Sequence, residues 1–155
     1  MSVENMLNTY GDMVYRVALT HTQNRQDAED AVQDVFMIYA RKQPEFSDET
    51  HARAWFLRVT IRRCGQIRRS AWNRKTRELP ENLTEIPRAD NDVYLAFLSL
   101  KPLYRTPVYL FYYERFSIRQ IARILSVSES AVRKRLERAR DKLKEILGDD
   151  FCEQP

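Results

Sequence analysis

The residues in this sequence best suited to chemistry are arginines and lysines, and the chemistry they suit is recognition of a polyanion. Between Ile118 and Leu136 the chain reads IRQIARILSVSESAVRKRL. Ala122 is small where two helices must cross closely, Ser126, Val127 and Ser128 make a short turn, and Val132 and Leu136 return to the core beyond it. That is the logic of a helix-turn-helix. Ser128 is expected to N-cap the second helix by accepting from the N–H of Ser130 or Ala131, with Glu129 at the helix's positive end. Arg133, Lys134, Glu137 and Arg138 then share the opposite face, where a recognition helix meets base edges in a major groove. Residues 119–144 hold nine Lys or Arg against three acids, Glu129, Glu137 and Asp141, a local excess of +6. Like charge at that density repels itself unless a polyanion is near. The competing reading, a solvated charged helix in an ordinary helical hairpin, explains the packing pattern but not the charge.

A second basic region is denser. Residues 51–77 contain nine bases (Arg53, Arg58, Arg62, Arg63, Arg68, Arg69, Arg74, Lys75, Arg77) and no acid, with Trp55, Phe56 and Trp72 interleaved. Trp55, Arg58, Arg62, Gln66 and Arg69 step by three, four, four and three, a stripe about 100° round from the apolar one formed by Ala54, Leu57, Ile61 and Cys64. Single-stranded or partly melted DNA needs cations for its phosphates and a flat partner for its unstacked bases. Trp55 taken alone is better read as core, because a tryptophan at helical spacing usually packs. A third segment, DAEDAVQDVF from Asp27 to Phe36, follows Gln26 with no base before Asp34. Acids in a first turn complement the helix dipole, and Asp30, Gln33 and Asp34 also share an edge able to dock on a basic partner.

Other chemistries are poorly supported. The chain has 155 residues and a net charge of +4, with 43% hydrophobic and 31% charged residues, enough for one ordinary domain or two small ones. Its three glycines, Gly11, Gly65 and Gly148, are 54 and 83 residues apart, so no Gly-rich phosphate loop can be written. Cys64 and Cys152 form neither a disulfide framework nor a metal cluster and suit a reducing, cytosolic setting. His21 and His51 are the only histidines, and no metalloprotease motif or nucleophile elbow occurs. No run approaches the ~18 apolar residues of a membrane span, and the first residues lack a signal-peptide pattern.

Glycine scarcity and three-four apolar spacing predict an all-α protein. A first helix is expected up to the polar run at residues 20–25, a second over residues 26–42 closed by Pro44, a loop over 44–50, and a third helix over 51–69. Three such helices close a small bundle. Residues 78–92, with five acids and two prolines, read as a linker. Beyond it come helices over 93–100, 103–116, 117–125 and 129–147, with Pro102 in a first turn and Gly148 just past the last.

In this order the segments resemble a bacterial RNA polymerase sigma factor of the extracytoplasmic-function group, over about residues 10–147. The resemblance rests on Asp27-x-Glu-Asp-x-x-Gln-Asp-x-Phe36, on Trp55-Phe-Leu-Arg58 before a basic helix, and on Tyr104-Arg-x-Pro, Phe116-Ser-Ile-x-x-Ile-Ala and Val127-Ser-Glu-Ser-x-Val-x-x-Arg-Leu-x-Arg-Ala-Arg140. It implies a region 2-like domain over 1–77, a linker over 78–92 and a region 4-like helix-turn-helix domain over 93–155. It implies that Asp30, Gln33, Asp34 and Phe36 grip core polymerase. The loop over 46–52, with Phe46, Ser47, Asp48 and Glu49, would capture a flipped base of the minus-ten element, and Trp55, Arg58, Arg62, Gln66 and Arg69 would hold the melting strand. Arg133, Lys134, Glu137 and Arg138 would read the minus-thirty-five element, with Arg119, Ser128, Ser130 and Arg135 on phosphates. Relatives usually carry Gly where Ser126 stands, so a positive φ is expected there. The implied partners are core RNA polymerase, promoter DNA and an anti-sigma factor, with no metal, cofactor, small-molecule substrate or enzymatic activity, in the cytoplasm.

Two alternatives compete. A free-standing helix-turn-helix regulator accounts for residues 118–147 but leaves the acid-free basic stretch and the acidic helix start without a role. A helical nucleic-acid enzyme would need clustered metal-binding carboxylates, which no spacing here favours.

Overall fold

The computed structural model describes residues 2–72 and 91–148. The expected linker lies outside them up to residue 90, as do Arg74, Lys75, Arg77 and Cys152. The chain divides into two compact units, Met1–Glu85 and Ile86–Pro155, and among the described residues every regular element is helical.

With almost no glycine, the first unit turns its corners on other residues. Helix α1 (Val3–Thr22) is N-capped by Ser2, whose hydroxyl accepts from the N–H of Asn5, and closed by Gln23 at φ 53°. Helix α2 (Arg25–Lys42) is capped by Asn24 on the N–H of Asp27 and closed by Gln43 at φ 44°. Each glutamine sits in the left-handed region that an L side chain enters at a cost of about 1–2 kcal/mol. Its backbone N–H returns to a carbonyl four residues back, that of Leu19 or of Tyr39. The first helix therefore runs through the polar residues expected to end it. Thr20 and His21 are buried, and the Thr22 hydroxyl donates to the Ala18 carbonyl at 2.8 Å.

Helix α3 (Glu49–Trp72) starts two residues before the expected His51. Asp48 is the reason: its carboxylate accepts the N–H of His51 at 2.7 Å, and its carbonyl accepts from Ala52, so the expected loop over 46–52 ends at Asp48. The three helices pack around Phe56, which is fully buried, with its ring centroid 5.0 Å from Tyr10, 5.2 Å from Phe36 and 5.6 Å from Tyr39. At about 100° per residue, buried Phe56, Leu57, Thr60 and Cys64 centre roughly 180° from the Trp55–Arg69 stripe, not 100°. The expected apolar stripe was rotated because Thr60 is core, its hydroxyl donating to the Phe56 carbonyl at 2.6 Å, while Ala54 and Ile61 are only half-buried.

In the second unit, α4 (Asn91–Ser99) opens within the span read as linker. Helix α5 (Pro102–Val108) has Pro102 in its first turn and passes into a π-helical segment, Tyr109–Tyr113. The expected single helix to Phe116 thus stops short. Arg115 takes φ 60°, and Phe116 donates its N–H to the Leu110 carbonyl at 3.0 Å. Arg105 is buried; its Nη1 donates to the carbonyls of Leu98, at 3.3 Å, and of Leu100, placing a cation at the negative end of α4. Tyr109 donates its hydroxyl proton to Glu114 Oε2 at 3.0 Å. Helices α6 (Ile118–Leu125) and α7 (Glu129–Leu147) complete the unit.

Candidate nucleic-acid and polymerase interfaces

The turn between α6 and α7 is built by local hydrogen bonds. Ser117 and Gln120 form a reciprocal capping box at the start of α6. At its end Ser126 adopts φ 58° and ψ 46°, the positive φ expected of it. Ser126 donates its N–H to Arg123 at 3.3 Å and Val127 donates to Ala122 at 3.0 Å, the paired pattern of a Schellman motif. Two residues later Ser128 caps α7, its Oγ accepting from the N–H of Ala131 at 3.0 Å. Buried Val132, Leu136, Ala139 and Leu143 hold α7 to the unit.

This anchoring turns Arg133, Lys134, Glu137 and Arg138 outward, and all four are exposed. Arg133 lies 3.6 Å from Glu129 one turn back, with both side chains about half exposed. Such a pair orients the guanidinium at small energetic cost. Around the rim Arg119, Ser128 and Ser130 are exposed and Arg135 is half-buried. The Ser128 oxygen used as a cap acceptor keeps its own O–H to donate, which is what a phosphate oxygen needs. Arg140 donates to the Tyr112 hydroxyl at 3.1 Å, so one further base on α7 is turned back onto its own unit.

In the first unit the loop and stripe are held by two residues that the sequence reading did not single out as functional. The first is His51. Its Nδ1 accepts the backbone N–H of Ser47 at 3.1 Å while its own N–H is capped by Asp48, so loop and helix start brace each other. The signal was present, a capping acid followed three residues later by a side-chain acceptor. Ser47, Asp48 and Glu49 are exposed, Glu49 within the first turn of α3. Phe46 is half-buried, 5.8 Å from Trp55 and 6.3 Å from Tyr39, and anchors the loop to the bundle. Trp55 is likewise half-buried, its ring edge-on to Phe56 at 5.0 Å. Arg58, Arg62, Gln66 and Arg69 are exposed in a row.

The second is Arg63. Its Nε donates to Asp34 Oδ2 at 2.6 Å and its Nη1 to Gln66 Oε1 at 2.9 Å. Asp30 and Gln33 are exposed on α2, Asp30 accepting from the Gln26 amide at 3.0 Å. Phe36 points the other way: it is 5% exposed and packed into the Phe56 cluster, so it supports that edge from within. Helix periodicity separates it from Asp30 and Asp34 once α2 is oriented by its partners.

No three His, Cys, Asp or Glu side chains gather into a metal-binding group among the described residues. Burial pushes the Cys64 thiol up to about 12, with the nearby Asp27 carboxylate adding to the effect, so it stays protonated and unreactive. No helix among the described residues is long and apolar enough to cross a membrane.

A helix-turn-helix whose second helix presents an exposed cationic face defines a DNA-binding protein. Residues 6–74 match the family model for sigma-70 region 2 and residues 90–143 that for sigma-70 region 4. The extracytoplasmic-function sigma factor SigE of Mycolicibacterium smegmatis is 31% identical over 98% of this chain, which spans 64% of that protein's length. SigM of Mycobacterium tuberculosis is 26% identical over 94% of this chain and 76% of its own. Among solved structures, sigma factor RpoE in complex with the anti-sigma factor NepR, from Bartonella quintana, superposes with a TM-score of 0.79 at 21% identity, covering 95% of this chain and 97% of that one. CnrH in complex with the cytosolic domain of CnrY superposes at 0.65 and 21% identity, covering 94% and 86%. The chain belongs to the sigma-70 family, in its extracytoplasmic-function group.

Proposed function

We propose that this protein is an alternative sigma factor: it joins core RNA polymerase, recognises two promoter elements and directs initiation, without catalysing a reaction of its own. The observation that carries the reading is the exposed arginine row of α3 in the same chain as the exposed recognition face of α7. One suits a melted strand and the other a duplex major groove, and a factor that only bound duplex DNA would need the second alone. In this reading Arg133, Lys134, Glu137 and Arg138 meet the minus-thirty-five bases, with Arg119, Ser128, Ser130 and Arg135 on phosphates. Ser47, Asp48 and Glu49 meet the minus-ten element on a loop that Phe46 anchors, while Trp55, Arg58, Arg62, Gln66 and Arg69 hold the strand. Asp30, Gln33 and Asp34 dock on polymerase, with Phe36 behind them. The partners are core polymerase, promoter DNA and an anti-sigma factor of the kind named in the RpoE complex, and the site of action is the cytoplasm.

Run-off transcription with bacterial core polymerase on genomic DNA, with and without the protein, tests this. Transcripts that depend on the protein and share paired upstream elements are expected. Their absence, with no co-migration of the protein and core, would favour a free-standing regulator. Substituting Asp30 and Asp34 with Lys is expected to weaken association with core while sparing duplex binding; unchanged core binding would remove the docking edge from α2.

A further inference from the structure

The Arg63 guanidinium bonds both an acid on α2 and a residue of the exposed arginine row. It lies about 100° round α3 from Arg62 and about 60° from Gln66, on the flank that faces α2. Its Nε is 2.6 Å from Asp34 Oδ2 and its Nη1 2.9 Å from Gln66 Oε1. The side chains of Arg63 and Asp34 keep 37% and 34% of their exposure. We propose that Arg63 is a further strand-contacting residue, which Asp34 holds off the DNA in the unassembled protein, and that the Asp34–Arg63–Gln66 chain couples docking on α2 to strand capture on α3. This rests on the reading of Asp34 as part of the polymerase edge.

Arg63 and a docked partner compete for one carboxylate. With about a third of each side chain in water, this half-buried pair is partly screened, so a basic partner that takes up Asp34 displaces Arg63 from it. The guanidinium then has donors to spare beside Arg58, Arg62 and Arg69, where a phosphate accepts them bidentately as a carboxylate does. Gln66, released from Arg63 in the same step, regains its amide oxygen for an exposed base edge. Coupling of this sort is reciprocal, so a bound strand that takes Arg63 leaves Asp34 more available to the partner. Nothing on α3 alone shows this, because Arg63 stands off the main row and its acid lies 29 residues away.

The test is binding of the full-length protein to a fluorescein-labelled, mixed-sequence single-stranded DNA of about 20 nucleotides, read by anisotropy over a series of salt concentrations. Asp34→Asn is expected to tighten binding about threefold and to steepen the slope of log K against log salt by about 0.7, one added phosphate contact. Glu29→Gln is the matched control: it removes the same charge from α2 and breaks the Arg25–Glu29 pair, 3.2 Å in length, which includes no residue of the row. It should give less than half that gain. The double variant Asp34→Asn with Arg63→Gln should show no gain over Arg63→Gln alone. A gain with Glu29→Gln equal to that of Asp34→Asn, or one that survives without Arg63, overturns the proposal. Association with core polymerase is measured on the same variants. Weakened core binding by Asp34→Asn without a strand gain sinks the coupling alone. A strand gain with unchanged core binding removes Asp34 from the docking edge, and the coupling goes with it.

Discussion

Removing Arg133 separates recognition from folding, because the side chain touches little of its own protein. It pairs with Glu129, 3.6 Å away, with side chains 61% and 48% exposed. Pairs like this at i and i+4 contribute about 0.3–0.5 kcal/mol to a helix. Arg133→Ala is therefore expected to lower stability by no more than about 0.5 kcal/mol, offset in part by alanine's helix preference. In a major groove the same guanidinium has two parallel donors for a guanine O6 and N7, an interaction worth about 1–3 kcal/mol of discrimination. The loss in affinity for the upstream element should thus be about 5- to 150-fold, several times the effect on stability. Anisotropy titrations with the mapped promoter duplex and a scrambled one, at fixed salt, measure this. The specific duplex should lose affinity and the scrambled one should change little, whereas Arg119→Ala should weaken both together and flatten the salt dependence by about one phosphate's worth. Equal loss on both duplexes for Arg133→Ala would refute base reading by this face and leave it a phosphate contact.

Three further outcomes follow from the packing. Arg105→Ala, which strips the buried cation from the Leu98 and Leu100 carbonyls, should destabilise the protein by about 2–4 kcal/mol in urea unfolding; a loss below about 1 kcal/mol would mean water replaces it. Ser126→Gly should stabilise by about 0.5–1 kcal/mol, since relief of the left-handed strain outweighs glycine's added chain entropy, and a lower melting temperature would contradict that account. The Cys64 thiol, ordinarily near 9 and pushed up to about 12 in the fold, holds its proton in the native state while the unfolded chain loses it. Stability should therefore be independent of this group below pH ~9 and fall as pH rises above it, by at most ~1.4 kcal/mol per unit. Cys64→Ala should flatten the profile between pH 9 and 10.5, and identical slopes would disprove the linkage.

The parts of this protein legible in sequence are those whose causes lie within a few residues. Helix α7 runs Glu129–Leu147 as its pattern indicates, because Ser128 caps it three residues ahead and Gly148 ends it. The left-handed Ser126 follows from the same short-range logic, as does the outward face of Arg133, Lys134, Glu137 and Arg138, which is fixed once Val132 and Leu136 are buried. Family membership was legible because it rests on ordered motifs, which survive any error in orientation.

What tertiary structure decided are quantities with no local cause. Thr60 counts as polar in any pattern, yet it is buried because its hydroxyl bonds the Phe56 carbonyl within the helix, and this turned the arginine row directly away from the core. Phe36 shares a sequence motif with Asp30 and Asp34 but is drawn inward by Phe56, a ring twenty residues further along. Arg105, a cation whose burial no local pattern foretells, is buried because two carbonyls at the end of another helix accept from it. Arg63 looks like its neighbours in the basic stretch, and only the packing of α2 on α3 brings Asp34 to it. Periodicity gives a helix its faces and caps give it its ends, but which face turns inward, and which charges meet, depends on partners far along the chain whose positions exist only after folding.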